Sequence, residues 1–280
     1  MCGIAGILSL DKSNITEVSL KKMTDSLYHR GPDGGGLWID TINNVGLGHR
    51  RLSIIDLSDS GKQPMHYLDR YTITFNGEIY NYIELKTLLL TKGYIFKTST
   101  DTEVLLALFD HKGYDCLELL DGMFAFAIWD KVSKKLFCAR DRFGEKPFYY
   151  SINDSSFVFA SEIKALWAYG IPKIKNDVMI FNYLYFNSIN NPDNLSETFY
   201  DNIKLLKPSS YLVINVNLEI EIEKKYWDID YSNINTSISY EQAKIDFAEL
   251  LQSSVNLRLR SDVPIGSSLS GGLDSSVIVA

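Results

Sequence analysis

The second residue constrains this chain more than any other. Cys2 directly follows Met1, and residues 3–10 behind it alternate small and β-branched types, a pattern that reads as a buried strand. If Met1 is removed, Cys2 carries both a thiol and a free α-amine. A thiol titrates near about 8.5 and an α-amine near about 7.7–8.0, so the amine can take the thiol proton near neutral pH. One residue then supplies nucleophile and base, on a strand that holds both in place. The competing reading is an ordinary small residue at a frayed terminus. A lone terminal cysteine is a weak motif, so the remaining chain has to decide.

Composition narrows the classes. With 280 residues, 45% apolar and 22% charged, the chain is an ordinary soluble globular sequence of one large domain or two smaller ones. A net charge of −7 argues against a broad nucleic-acid footprint. Cys2, Cys116 and Cys138 are too few and too odd in number for a disulfide framework. The four histidines, His29, His49, His66 and His111, form no zinc-type spacing, so no metal site is expected. Neither a leader nor a bilayer-length apolar run is visible, which points to a cytoplasmic setting without a membrane partner.

The first 227 residues read as mixed α and β. Helical spacing covers residues 18–28, and Arg30-Gly31-Pro32-Asp33 ends that helix. Gly34, Gly35 and Gly36 read as a flexible loop. Residues 45–56 read as two short strands, and residues 62–65 as a loop. Residues 71–76 read as a strand closed by Asn76-Gly77, a strong turn signal. Helices are expected over 78–92 and from Thr100, where Glu103 has capping-box spacing. Residues 123–160 then read as a four-strand antiparallel meander. Short helices follow at 161–169 and 178–186, the second capped by Asp177, and 211–222 reads as a hairpin.

Residues 228–239 are polar and read as a linker. Beyond it, Ser239 and Gln242 cap a helix over 240–258 whose buried stripe is Ile245, Ala248, Leu251 and Val255. A strand is expected over 264–270. The string LSGGLDSS follows, between that strand and a helix start. Its glycines let backbone N–H groups converge, and its serines add hydroxyl donors, which makes a phosphate cradle. It lacks the Walker lysine.

Together the segments MCGIAGI, RGPDGGG, GLGHRRLSIIDLS, FNGEIYNYIELK, TDTEVLL, DGMFAFAIWD, ARDRFGEKPFYY, ASEIKAL and SDVPIGSSLSGGLDSS resemble the glutamine-dependent asparagine synthetase family, in family order and over nearly the whole chain. The resemblance implies an α+β fold: an N-terminal-nucleophile αββα sandwich over residues 2–227, followed over 240–280 by the first elements of an α/β parallel-sheet ATP-pyrophosphatase domain. It implies Cys2 as nucleophile, with the Asn76 side chain and the Gly77 N–H as oxyanion donors. Arg51 would hold the glutamine α-carboxylate and Asp101 its α-ammonium, with Glu78 helping and Ile54 and Ile55 lining the pocket. Leu269, Ser270, Gly271, Gly272, Asp274, Ser275 and Ser276 would bind ATP, with Mg²⁺ as its companion in a complete synthetase domain.

The reaction implied is hydrolysis of glutamine and ATP-dependent amidation of aspartate. Another carboxylate, such as a sugar acid of surface polysaccharide synthesis, is the alternative acceptor. Glu145 stands where many relatives carry an apolar residue, and residues 181–200 resemble polysaccharide-linked relatives as much as housekeeping ones, so the acceptor stays open. So does a homodimer. Amidotransferases that make amino sugar phosphates or purine precursors lack SGGLDSS, and a non-catalytic relative would be expected to lose Cys2 or Asn76. The 280-residue chain alone is expected to show no synthetase activity.

Overall fold

The computed structural model describes residues 1–232, 234 and 236–280. The elements begin with β1 (Gly3–Ser9), α1 (Glu17–Asp25), β2 (Gly34–Asp40), β3 (Val45–Arg51), β4 (Met65–Tyr67), β5 (Tyr71–Ile79), α2 (Tyr82–Thr91) and α3 (Asp101–Lys112). They continue with α4 (Cys116–Leu119), β6 (Gly122–Asp130), β7 (Lys135–Arg140), β8 (Tyr149–Ile152), β9 (Ser156–Ala160), α5 (Ile163–Tyr169) and α6 (Asp177–Phe186). The last are β10 (Lys204–Leu205), β11 (Ser210–Asn215), β12 (Ile220–Lys225), α7 (Tyr240–Arg258) and α8 (Leu273–Val279).

Two antiparallel sheets face each other. One runs β10-β8-β9-β1-β3-β2 and the other β12-β11-β7-β6-β5-β4. Strand alternation sends every second side chain to the opposite face. Ile4 and Leu8 of β1 meet Ala125, Ala127 and Trp129 of β6 between the sheets. Ala5 and Ile7 point the other way, onto Leu20 and Met23 of α1 and Leu166 of α5. On the second sheet, Phe124, Phe126 and Ile128 face Leu85 and Leu89 of α2 and Leu105 and Leu108 of α3. The layers are therefore helix, sheet, sheet, helix, an α+β sandwich as expected. Among the described residues no helix is long and apolar enough to cross a membrane.

Several local expectations are corrected. Gly34, Gly35 and Gly36 open β2, paired to Arg51, Arg50 and His49, and do not form a loop. A Cβ on Gly36 would lie 2.2 Å from the Gln63 carbonyl, so close backbone approach accounts for glycine there. Asn76-Gly77 makes no turn, because β5 runs on to Ile79. A Cβ on Gly77 would lie 2.2 Å from the Met123 carbonyl of β6. The following helix starts at Tyr82, later than expected. Residues 52–56 are not a strand; they form the loop that follows β3.

The expected four-strand meander is split. β6 and β7 pair in one sheet and β8 and β9 in the other. Residues 141–148 carry the chain across. Asp141 organises that crossing by accepting hydrogen bonds from the backbone N–H groups of Phe124, Phe143, Glu145 and Lys146. Thr100 caps α3 through Glu103 N–H at 3.1 Å, but the Glu103 carboxylate turns back to Lys97 and Thr98. Asn176, not Asp177, caps α6 through Met179 N–H at 3.0 Å.

The C-terminal segment differs most. α7 has its expected bounds and its Ser239 cap, yet none of its residues is buried. Residues 264–270 form no strand, since among the described residues no strand lies beside them to take their hydrogen bonds. The expected linker, 228–239, includes residues 233 and 235, which lie outside the described residues.

Candidate active site

β1 carries Cys2 at its N-terminal end, one residue before Gly3 pairs with Arg50 of β3. The Cys2 carbonyl accepts a hydrogen bond from Arg30 Nε at 2.9 Å, and Arg30 Nη1 donates to Glu162 at 2.9 Å. Burial alone would raise the Glu162 carboxyl, but bonds from Arg30, Lys164 and His29 outweigh it and bring its pKa to about 2. This anchor fixes the terminal strand where a free chain end would otherwise fray. The Cys2 Sγ lies 3.4 Å from the Leu52 N–H and 3.5 Å from the Leu52 carbonyl. Burial pushes the thiol pKa up, so the thiol is neutral at neutral pH and needs a base. Burial also lowers the pKa of the Met1 terminal amine, with the neighbouring Arg30 and Lys146 charges acting in the same direction.

β5 forms the wall opposite. Its odd-numbered residues direct their backbone groups away from β6. Tyr71 and Ile73 use that edge to pair with β4. β4 ends there, and side chains replace it. Phe75 N–H donates to Gln63 Oε1 at 2.7 Å, and Ile79 N–H donates to Asp101 Oδ2 at 2.9 Å. Gly77 lies between them, so strand alternation aims its N–H from the same edge into the gap between the two capping side chains. The adjacent Asn76 is 1% exposed, and among the described residues its Nδ2 has no hydrogen-bond partner. An unpaired buried donor costs about 1–3 kcal/mol, which a donor reserved for a transient acceptor explains.

These walls enclose a cavity of about 110 Å³. Cys2, Arg51, Ile54, Ile55, Asn76, Gly77, Glu78 and Asp101, widely spaced in the sequence, all line it. Asp101 is 5% exposed at the start of α3. Burial raises its carboxyl to about 7 despite the Ile79 and Thr102 hydrogen bonds. Burial raises Glu78 as well. The Arg51 guanidinium donates to the carbonyls of Ile55, Asp56 and Ser58, which shapes residues 52–58 around the cavity. A thiol, the adjacent donors of Asn76 and Gly77, two cations (Arg51 and Lys146) and two carboxyl groups thus share one small space. Such a set suits a zwitterionic substrate with an amide to be cleaved.

Sequence reading missed four contributors. Arg30 was read only as a helix stop and Gln63 only as a loop residue. Gln63 also reaches Thr102 Oγ1 at 3.5 Å, tying the two capping side chains together. Lys146 enters the cavity from the 141–148 crossing, its Nζ 3.2 Å from Met1 Sδ. Glu162 acts through Arg30. Arg30, Lys146 and Glu162 lie inside quoted motifs, but their roles depend on long-range folding that no spacing expresses.

Leu269, Ser270, Gly271, Gly272, Asp274, Ser275 and Ser276 lie apart from this cavity and line none of it. The Ser275 and Ser276 hydroxyls donate to the Gly272 carbonyl at 3.1 and 2.8 Å, and Gly272 N–H donates to Ser270 Oγ at 3.4 Å. The loop is largely exposed, and among the described residues none walls it in from the other side. Among the described residues no group of three or more His, Cys, Asp or Glu side chains could hold a metal ion. Asp274 alone does not fit Mg²⁺, which demands near-octahedral oxygen ligation.

Residues 1–227 match the family described as Glutamine amidotransferase domain, and residues 246–280 match the one described as Asparagine synthase. Asparagine synthetase [glutamine-hydrolyzing] 1 of Bacillus subtilis is 40% identical over 100% of this chain and 43% of its own length. Asparagine synthetase [glutamine-hydrolyzing] 3 of the same organism is 38% identical over 100% of this chain and 45% of its own. The chain thus spans about half the length of the curated relatives it matches. Among solved structures, glutamine phosphoribosylpyrophosphate amidotransferase from B. subtilis superposes with a TM-score of 0.56 at 22% identity, over 76% of this chain and 47% of that one. That likeness is one of fold, the N-terminal-nucleophile sandwich. The chain belongs to the glutamine amidotransferase domain family, and its residues 246–280 match part of an asparagine synthase domain.

Proposed function

We propose that Cys2 hydrolyses glutamine and that the ammonia released serves amidation of an ATP-activated carboxylate. The observation that carries the first half is the unpaired Nδ2 of buried Asn76 beside the Gly77 N–H, in the cavity that Cys2 lines. With Met1 removed, the α-amine of Cys2 takes the thiol proton and sulfur attacks the side-chain carboxamide carbon. Asn76 Nδ2 and Gly77 N–H hold the oxyanion. Collapse breaks the C–N bond, and the leaving nitrogen takes the proton from the ammonium. Water then attacks the thioester, giving glutamate and free Cys2. Arg51 pairs with the substrate carboxylate, Asp101 with its ammonium, Glu78 assists, and Ile54 and Ile55 close the pocket.

The second half is supported by the match of residues 246–280 to the asparagine synthase family. The β-carboxylate of aspartate attacks the α-phosphorus of ATP, releasing pyrophosphate, and ammonia displaces AMP to give asparagine. The phosphate loop with Leu269, Gly271 and Gly272 takes the nucleotide. Three free cysteines, one of them a nucleophile, suit a reducing, cytoplasmic setting. The test is transfer of ¹⁵N from amide-labelled glutamine. Labelled ammonia from the chain supports the glutaminase. Labelled asparagine and AMP from a protein that contains this chain and a whole synthase domain support aspartate as acceptor, whereas amidation of a sugar acid replaces it. The 280-residue chain itself is expected to bind ATP–Mg²⁺ weakly, with Kd above about 1 mM, because its loop is exposed on one side. Micromolar affinity by calorimetry contradicts this.

Asp101 makes a pH-dependent prediction. Its pKa rises from the usual 3.8 to about 7 on folding. The folded chain therefore holds a proton that the unfolded chain has lost, and stability falls as pH rises between those values. Asp101→Asn removes that slope, so its thermal midpoint is expected above the parent's at pH 8 and level with it at pH 3. Loss of the buried anionic partner should raise the glutamine KM roughly thirtyfold. Parallel melts and glutaminase kinetics check both signs.

A further inference from the structure

The short segment after α7 touches both banks of the glutamine cavity. Asp262 Oδ2 accepts a hydrogen bond from Asp56 N–H at 2.7 Å, and Asp262 N–H donates to the Ile54 carbonyl at 3.0 Å. Residues 52–58 are thus held from outside by Asp262 and from the β3 side by the Arg51 guanidinium. Asp56 sits at φ 54°, a left-handed conformation that a non-glycine residue adopts only when its surroundings hold it there. Its own carboxylate accepts from Ser99 N–H at 3.2 Å, two residues before Asp101.

Two residues before Asp262, Arg260 grips the other bank. Its two Nη atoms donate to the two Glu84 oxygens at 2.6 Å, and Nη1 also donates to the Tyr80 carbonyl at 2.6 Å. Tyr80 follows Ile79, whose N–H is bound by Asp101. A lone exposed ion pair contributes little. This contact is a bidentate fork reinforced by a backbone carbonyl, and its neighbour makes a two-way bond to the pocket loop.

We propose that Asp262 and Arg260 are positioning residues for glutamine, supplied from the segment just before the phosphate loop. The proposal rests on the glutaminase reading above. Neither side chain lines the cavity. Asp262 acts through Ile54 and Asp56, and Arg260 through Tyr80 and the start of α2. Six residues lie between Asp262 and Leu269.

Glutamate release by the 280-residue chain and its variants tests it. Asp262→Ala is expected to raise the glutamine KM about five- to tenfold while kcat stays within about threefold of the parent. Asp262→Asn keeps an acceptor oxygen and the backbone N–H, and is expected to restore most of the affinity. Arg260→Met should raise KM in the same direction. Calorimetric glutamine binding on a Cys2→Ala background should weaken in parallel. An unchanged KM in Asp262→Ala, a loss confined to kcat, or equal defects in the Ala and Asn variants overturns the proposal. If the parent chain, with Met1 shown to be removed, releases no glutamate, the glutaminase reading fails first, and that outcome is distinct from the others.

Discussion

Cys2→Ala is expected to abolish glutamate release, a fall of roughly 10⁴-fold or more in kcat, while the chain keeps its fold. No other cysteine can substitute. Cys116 and Cys138 are fully buried, in the α3–α4 corner and in β7. Burial holds both thiols far above the usual range, so neither offers a thiolate. The structural penalty should stay under about 1 kcal/mol, because the lost Sγ contacts to Leu52 are long, at 3.4 and 3.5 Å. A second variant isolates the base. An alanine inserted between Met1 and Cys2 leaves the thiol in the chain but moves the free amine one residue away. It is expected to be nearly as inactive as Cys2→Ala. Glutamate release by coupled assay, beside intact mass to establish whether Met1 is present, decides the matter. Full activity in the insertion variant removes the α-amine from the mechanism.

How much of this was legible in the sequence depends on the range of the interaction concerned. Helix caps are local, so Thr100 and Ser239 could be read from three-residue spacing and both cap their helices, but the reciprocal half of each expected capping box is not made: Glu103 turns to Lys97 and Thr98, and Gln242 Nε2 donates to Asp246. The meeting of Cys2, Arg51, Asn76 and Asp101 in one cavity was accessible through the family resemblance, since no periodicity links residues so far apart. Local reading failed where tertiary contact overrides it. Asn76-Gly77 has turn chemistry, yet it lies inside β5 because the β6 backbone passes too close for a side chain. The glycines of β2 were hidden for the same reason. Residues 135–160 have uniform strand character, and nothing in it marks the crossing between sheets. The crossing is organised by Asp141, whose carboxylate accepts from Phe124 N–H of β6 and from Phe143, Glu145 and Lys146 N–H of the crossing itself. Residues 264–270 have strand chemistry without a strand to pair with. Their state, and the uncovered face of α7, depend on packing partners rather than propensity.

Asn76→Ala is the second large effect, and its two expected signs point in opposite directions. In the folded chain the Asn76 Nδ2 is buried and unpaired. Removing it relieves a desolvation cost, so the thermal midpoint should hold or rise. In the proposed reaction the same donor would face the oxyanion that forms when Cys2 sulfur bonds to the carboxamide carbon. Losing it should lower kcat about 10²–10³-fold, or about 2.7–4 kcal/mol of barrier, with little change in glutamine KM. The Gly77 N–H remains, and a backbone donor cannot be deleted by alanine. That leaves residual activity above the Cys2→Ala background. Gln63 and Asp101 occupy the N–H groups on either side of Gly77, at Phe75 and Ile79, so no neighbouring backbone donor can take over. A structural asparagine predicts the reverse pattern: a lower midpoint, with activity lost only in proportion to unfolded chain. Melting curves and kcat measured on one preparation separate the two.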